Sequence, residues 1–185
     1  GDDIGASHSW RAGVSMYQTK RVDAAAEAFG VSNSFSGDSR THGIDFVWKY
    51  APNGNSTMTN FKLQGEYFQR RECGDLTFDT ENIATGTTTD SYSVTQSGWY
   101  LQSVYQFMPR WRAGLRYDQL NSGNADVGAS LSSVPASYQF TPTRTTLMFD
   151  YSPSEFSRLR LQLAQDKSRE NLSDNMLFIQ YVMSL

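Results

Sequence analysis

No stretch of the sequence approaches the roughly 18 consecutive apolar residues of a membrane-spanning helix, which excludes a helical membrane protein. Cysteine occurs once, at Cys73, so neither a disulfide framework nor a cysteine-based metal site is available. Histidine occurs only as His8 and His42. They lack the close spacing of a metal pair and have no Ser or Asp partner at catalytic spacing. His8 reads as preceding the first strand, and His42 as lying near a strand start on the apolar face. Neither an enzyme nor a bound metal or cofactor is expected. The net charge of -3 is too small to imply nucleic acid as a partner. No N-terminal segment reads as a signal peptide, so the chain is expected to be a mature protein or a fragment of one.

What is present is alternation. With 38% hydrophobic and 19% charged residues the totals look soluble, yet strands that face lipid on one side and water on the other average to such values. Period-two patterning recurs along almost the whole sequence. Trp10, Ala12, Val14 and Met16 share a face against Arg11, Gly13, Ser15 and Tyr17. Ile44, Phe46, Trp48 and Tyr50 oppose Asp45, Val47 and Lys49. Phe61, Leu63, Gly65 and Tyr67 oppose Lys62, Gln64, Glu66 and, less cleanly, Phe68. Trp99, Leu101, Ser103, Tyr105 and Phe107 oppose Tyr100, Gln102, Val104 and Gln106. Four further runs begin at Trp111, Arg144, Arg158 and Leu177, the last reaching Leu185. This predicts an all-β chain of about eight strands, each of roughly 9–11 residues, the length of a tilted membrane-crossing strand.

The connections alternate in length. Long ones (Asp23 to Ser39, Gly74 to Ser97, Asn121 to Thr141) are separated by short ones (Ala51 to Ser56, Met108 to Arg110, Ser152 to Ser154), and a moderate one runs from Ser168 to Asp174. Pro52-Asn53-Gly54, Pro109-Arg110 and Pro153-Ser154 have tight-turn chemistry. Short turns on one side and long loops on the other is the outer-membrane pattern, with both chain ends on the periplasmic side. Trp10, Tyr50, Phe61, Phe107, Trp111, Tyr151 and Phe156 all lie beside the short turns, as an interfacial aromatic girdle would. A soluble barrel would share the alternation, but its closed core could not hold so many large apolar side chains. The expected fold is a single transmembrane, antiparallel, up-and-down β-barrel domain over residues 1–185, in a bacterial outer membrane.

The polar face carries nine basic residues (Arg11, Lys49, Lys62, Arg70, Arg112, Arg116, Arg144, Arg158, Arg160) and five acidic ones (Asp45, Glu66, Asp118, Asp150, Asp166). The densest group is Arg112 and Arg116 on one strand, with Arg158 and Arg160 two strands on. Such a group suits an anion-favouring constriction. The same residues could instead pair with Asp118, Asp150 and Glu66 and fill a narrow interior. Asp75, Asp79, Glu81 and Asp90 match no calcium-loop spacing and read as a solvated acidic loop.

The segment 149–162, FDYSPSEFSRLRLQ, followed by 178–185, FIQYVMSL, resembles the C-terminal part of a proteobacterial family of outer-membrane porins, often labelled zinc-regulated or TonB-dependent outer-membrane proteins. The segments 45–54, DFVWKYAPNG, and 98–102, GWYLQ, are similar to the same family. Its members are longer at the N-terminus and run past Ser-Leu into a short tail ending in an aromatic residue, so truncation at both ends is expected. The resemblance implies transport, and with the basic polar face it suggests a channel for small anionic solutes. The bilayer and the solutes are then the partners, and homo-oligomers are allowed. The competing expectations are a non-conducting structural or adhesion barrel with functional loops, or part of a TonB-dependent metal or siderophore receptor, which would need a globular plug.

Overall fold

The computed structural model describes residues 1–28, 31–79, 86–131 and 140–183. They form one antiparallel sheet in which consecutive strands are neighbours. Its long strands are β2 (His8–Ala28), β3 (Val31–Tyr50), β4 (Asn60–Asp79), β5 (Thr87–Met108), β6 (Trp111–Asn121), β8 (Thr143–Ser154), β9 (Ser157–Lys167) and β10 (Asp174–Met183). Two three-residue strands complete it: β1 (Asp2–Ile4) on the outer edge of β2, and β7 (Ala125–Val127) beside β5. The eight expected strands are therefore the eight long ones.

The expected closure into a barrel does not occur among the described residues, where β10 pairs only with β9 and β2 only with β1 and β3. Edge geometry gives the reason. The first residues of β2 already pair with β1, and β2, at 21 residues, far outruns the 10 of β10. Half of that edge could find no partner on β10.

The long connections are also corrected. Most of Asp23 to Ser39 and of Gly74 to Ser97 is strand, so β2 to β5 reach 20–22 residues where 9–11 were expected. These stretches are rich in Ser and Thr, and their alternation survives with inverted phase. The apolar members are Phe35, Leu76, Phe78, Tyr92 and Val94, which continue the face that bears charge lower down. A bulge between Arg21 and Ala24 admits Asp23 at φ 47°, where its N–H donates to Ser36 Oγ (2.9 Å).

The short connections sit on one side of the sheet, as predicted. Pro52–Gly54 forms a 3-10 turn tied to the β1–β2 turn by Ala51 N–H to the Ser7 carbonyl (2.8 Å). Pro109-Arg110 is the tight link between β5 and β6. The third turn falls two residues later than predicted, at Glu155-Phe156, because β8 continues through Pro153 across a bulge between Tyr151 and Ser154. A strand tolerates proline where the ladder is already interrupted. His8 opens β2 rather than preceding it, and His42 lies well inside β3. Glu81, Ser184 and Leu185 lie outside the described residues.

Met148 and Ala164 are buried on the charged surface of β8 and β9, and the larger buried group sits in the extension of β3 to β5. Phe35, Phe78, Val94 and Leu131 are its buried members, and the Phe35 and Tyr92 rings meet edge-on at 5.8 Å. After β6 the chain turns at Gly123, whose φ of +69° and contact with the Thr95 carbonyl leave no room for a Cβ. It then pairs with β5 as β7, and a 3-10 turn over Ala129–Leu131 drops Leu131 into the core with no exposed surface. Asp90 clips this cap in place, accepting from Ser130 N–H (2.9 Å) and Ser91 N–H (2.7 Å), and these donors hold its carboxyl below the usual carboxylate range. Asp90 and Asp75 are thus strand residues, and Asp79 is buried. Leu131→Ala is expected to cost the extension about 2–4 kcal/mol. Hydrogen exchange should show faster opening at Tyr92 and Val94, with the amides of β8 to β10 unchanged.

Candidate functional site: the polar face of the sheet

Strand register brings each predicted face into alignment. Val14, Ile44 and Tyr67 fall in one row, Tyr67 pairs with Trp99, and Leu101 with Tyr117. Farther on, Leu115 pairs with Leu147, Leu147 with Leu163 and Leu163 with Leu177. One surface of the sheet is therefore apolar across all eight long strands, and many of its side chains are exposed, among them Val14, Ile44, Leu101, Leu115, Leu161 and Ile179.

The girdle residues Trp10, Tyr50, Phe107, Trp111 and Tyr151 share this surface at the short-turn end. Trp111 packs on Tyr151 at 4.5 Å, His8 stacks on Trp48 at 5.7 Å and lies 4.9 Å from Tyr50, and Trp48 meets Phe61 at 5.7 Å. A second aromatic row, Tyr67, Trp99 and Tyr117, lies six residues further along each strand, with Trp99 and Tyr117 5.4 Å apart. Sequence reading missed this row, although the repeated spacing Phe61/Tyr67, Tyr105/Trp99 and Trp111/Tyr117 was there to find it. Beyond it the same surface turns polar: Gln69, Arg71, Cys73 and Asp75 on β4, and Ser97, Thr95, Ser93 and Ser91 on β5.

The opposite surface carries the predicted charges, and ion pairing divides them. Asp150 is 1% exposed and accepts two hydrogen bonds from Arg160, Nε at 2.7 Å and an Nη at 2.9 Å. Arg116 forks onto Asp118 (2.6–3.0 Å) and lies over the Tyr100 ring at 3.9 Å. Arg144 pairs with Asp166 and Arg70 with Glu72, while Arg11 reaches Asp45 only at 4.0 Å. Phe68 lies on this face too, its ring over Gly98, where a Cβ would come within 2.6 Å of it.

Lys49, Lys62, Arg112 and Arg158 make no ion pair among the described residues. Arg112 donates only to Ser152 Oγ (3.3 Å), and the buried Nε of Arg158 has no partner. The predicted Arg112–Arg116–Arg158–Arg160 group is thus two neutralised pairs and two free cations. All four free cations lie beside the short turns. Lys49 and Lys62 are register partners, Arg112 follows Pro109-Arg110, and Arg158 follows Glu155-Phe156. Asn60, Gln102 and Gln106 fill the surface between them with amides. Gln106 is held by the Thr57 carbonyl (2.7 Å) and accepts from Asn60 (3.0 Å). Electrostatically the polar face is neutral across its middle and positive along its short-turn rim.

No protein-family model matches the chain, and no solved structure matches it. A protein of Aquifex aeolicus (strain VF5), described as uncharacterized, is 30% identical over 139 residues, covering 74% of this chain and 26% of the relative. The chain spans about a quarter of the length of the curated relative it matches.

The two kinds of ion pair should respond differently to loss of the carboxylate. Asp150→Asn leaves Arg160 and its register neighbour Arg112 uncompensated around a buried position, at a cost of about 3 kcal/mol. Asp118→Asn, where Arg116 is more than a third exposed, should cost less than about 1 kcal/mol. Urea unfolding of the two variants separates them.

Proposed function

We propose that the chain is part of the wall of an outer-membrane β-barrel that conducts small anionic solutes, with the apolar surface on lipid and the charged surface on a water-filled lumen. The membrane part of this reading rests on the apolar surface. Eight strands about 4.8 Å apart, over the roughly 20 Å between the two aromatic rows, make an exposed apolar area on the order of 800 Å². The largest patch on a typical soluble monomer is about 300–600 Å². Aromatic rows at both borders suit the two headgroup levels. The resemblance to outer-membrane porins points the same way. In lipid the free edges of β2 and β10 could not stay unpaired, because each bare N–H or C=O there costs several kcal/mol. Further strands would complete the wall.

The single observation that carries the channel reading is the row of four cations without ion-pair partners at one rim of the polar face. A filled interior would neutralise its charges, as the middle of this sheet does. A rim left positive can draw anions toward a pore mouth. A second reading, a surface platform, is favoured by the extension of β3 to β5, whose polar outer surface and small dry core stand well clear of the apolar band.

Two experiments test the proposal. On the outward surface of one strand, Leu101→Arg should impede insertion into lipid vesicles by about 2–4 kcal/mol, and Thr95→Arg, six residues away, by less than about 1. Equal tolerance at both sites would remove the membrane reading. In planar bilayers the protein with its wall completed by the further strands should pass chloride in preference to potassium. Replacing Lys49, Lys62, Arg112 and Arg158 with Gln should move the reversal potential toward cations. Absence of current at every voltage would sink the channel reading.

A further inference from the structure

On the outward surface, two rows above the upper aromatic row, two arginines face each other across the β3–β4 ladder. Arg40 and Arg71 are register partners, both exposed, and neither makes an ion pair among the described residues. Like charges placed directly opposite destabilise a sheet pair, so this arrangement needs a counter-charge to be favourable. The neighbouring rows supply none in contact. Below lie Met16, His42, Gln69 and Ser97; alongside lie Gln18 and Thr95; above lie Lys20, Asp38, Cys73 and Ser93. Asp38, the one acid there, stands opposite Lys20 without bonding either arginine. The result is a net positive patch of three cations, one carboxylate and one histidine.

Position identifies the counter-charge. Moving down the same surface from Arg40 and Arg71, the next row is His42 and Gln69, and the one after is Ile44, Tyr67 and Trp99, where the apolar band begins. Two rows of about 3.3 Å per residue place the guanidinium groups within roughly 13 Å of the band's border, and long arginine side chains span part of that distance. A phosphate above an acyl chain occupies this level. Guanidinium forks bind phosphate oxygens in pairs, which a lysine ammonium does not do.

We propose that Arg40 and Arg71, flanked by Lys20 and His42, form an outward-facing site for the phosphate of a lipid headgroup in the leaflet on the long-loop side. The Tyr67–Trp99 row and Ile44 lie at the border below that phosphate, where the lipid's chains begin. This inference rests on the membrane reading proposed above. Its occupant is a phosphorylated lipid, because only a lipid engages the basic patch and the apolar band together.

The test uses the full chain reconstituted in phosphatidylcholine with a minor fraction of phosphatidic acid, extracted into mild detergent. Bound lipid is counted by native mass spectrometry. The unaltered chain should retain phosphatidic acid over phosphatidylcholine, and Arg40→Gln/Arg71→Gln should lower that retention by about thirtyfold, near fivefold for each arginine. The control Lys49→Gln/Lys62→Gln, on the other surface, should retain it fully. Equal retention by the arginine variant would overturn the site, as would displacement of the lipid by millimolar inorganic phosphate, which marks a soluble-anion site. If the chain inserts into phosphatidylcholine vesicles but the arginine variant behaves as the original, only this inference falls. If the chain does not insert at all, the membrane reading falls with it.

Discussion

The organisation of this molecule depends on strict strand register. In a pleated sheet a slip of one residue exchanges the two surfaces of a strand, so eight strands present uniform surfaces only if every ladder is fixed to the residue. Here the pairings of β2 through β10 keep Val14, Ile44, Tyr67, Trp99, Leu115, Leu147, Leu163 and Leu177 on one side without exception. The bulges fall outside the apolar band or at the turns, at Arg21/Ala24, Gln106/Met108 and Tyr151/Ser154. They bend the strands where no apolar row is interrupted.

The same alternation changes meaning along the strands. In the lower half the charged surface carries ion pairs and the other carries exposed Leu, Ile and Trp. In the extension of β3 to β5 the first surface becomes dry, with Phe35, Phe78, Val94 and Leu131 buried, while the second becomes Ser, Thr, Gln and Arg. The buried residues lie on the first surface in both halves, Met148, Ala164 and Asp150 below and Phe35, Phe78 and Val94 above, while the exposed second surface changes from apolar to polar at the Tyr67–Trp99–Tyr117 row.

Charge follows the same division. Carboxylates sit beside arginines where the polar surface is crowded, as at Asp150, and cations stand free at the rim where amides surround them. Burial explains the pairing at Asp150, since an unpaired charge at so closed a position would be costly; Lys49 stands exposed beside a turn, whereas Arg158 keeps a buried Nε without a partner. The nine basic residues thus divide into five that reach a carboxylate and four that make no ion pair among the described residues.

Alternation by itself determined the strands and their surfaces, because side-chain period in a strand is set by the local backbone and needs no knowledge of neighbours. Pro52-Asn53-Gly54 and Pro109-Arg110 marked two turns for the same local reason. Pro153 did not, since whether a proline ends a strand depends on whether its partner still needs the N–H. The extension was hidden because its few apolar residues follow the opposite phase, and only the ladders to β4 and β5 reveal that Phe35 and Val94 share one core. Which arginines are free could not be read from their spacing either. Arg112 and Arg116 are four residues apart on one strand, and only cross-strand geometry gives Asp150 to Arg160 and leaves Arg112 without a carboxylate. Openness of the sheet among the described residues is likewise a tertiary fact, because which strands meet at the edges depends on pairing that no single strand encodes.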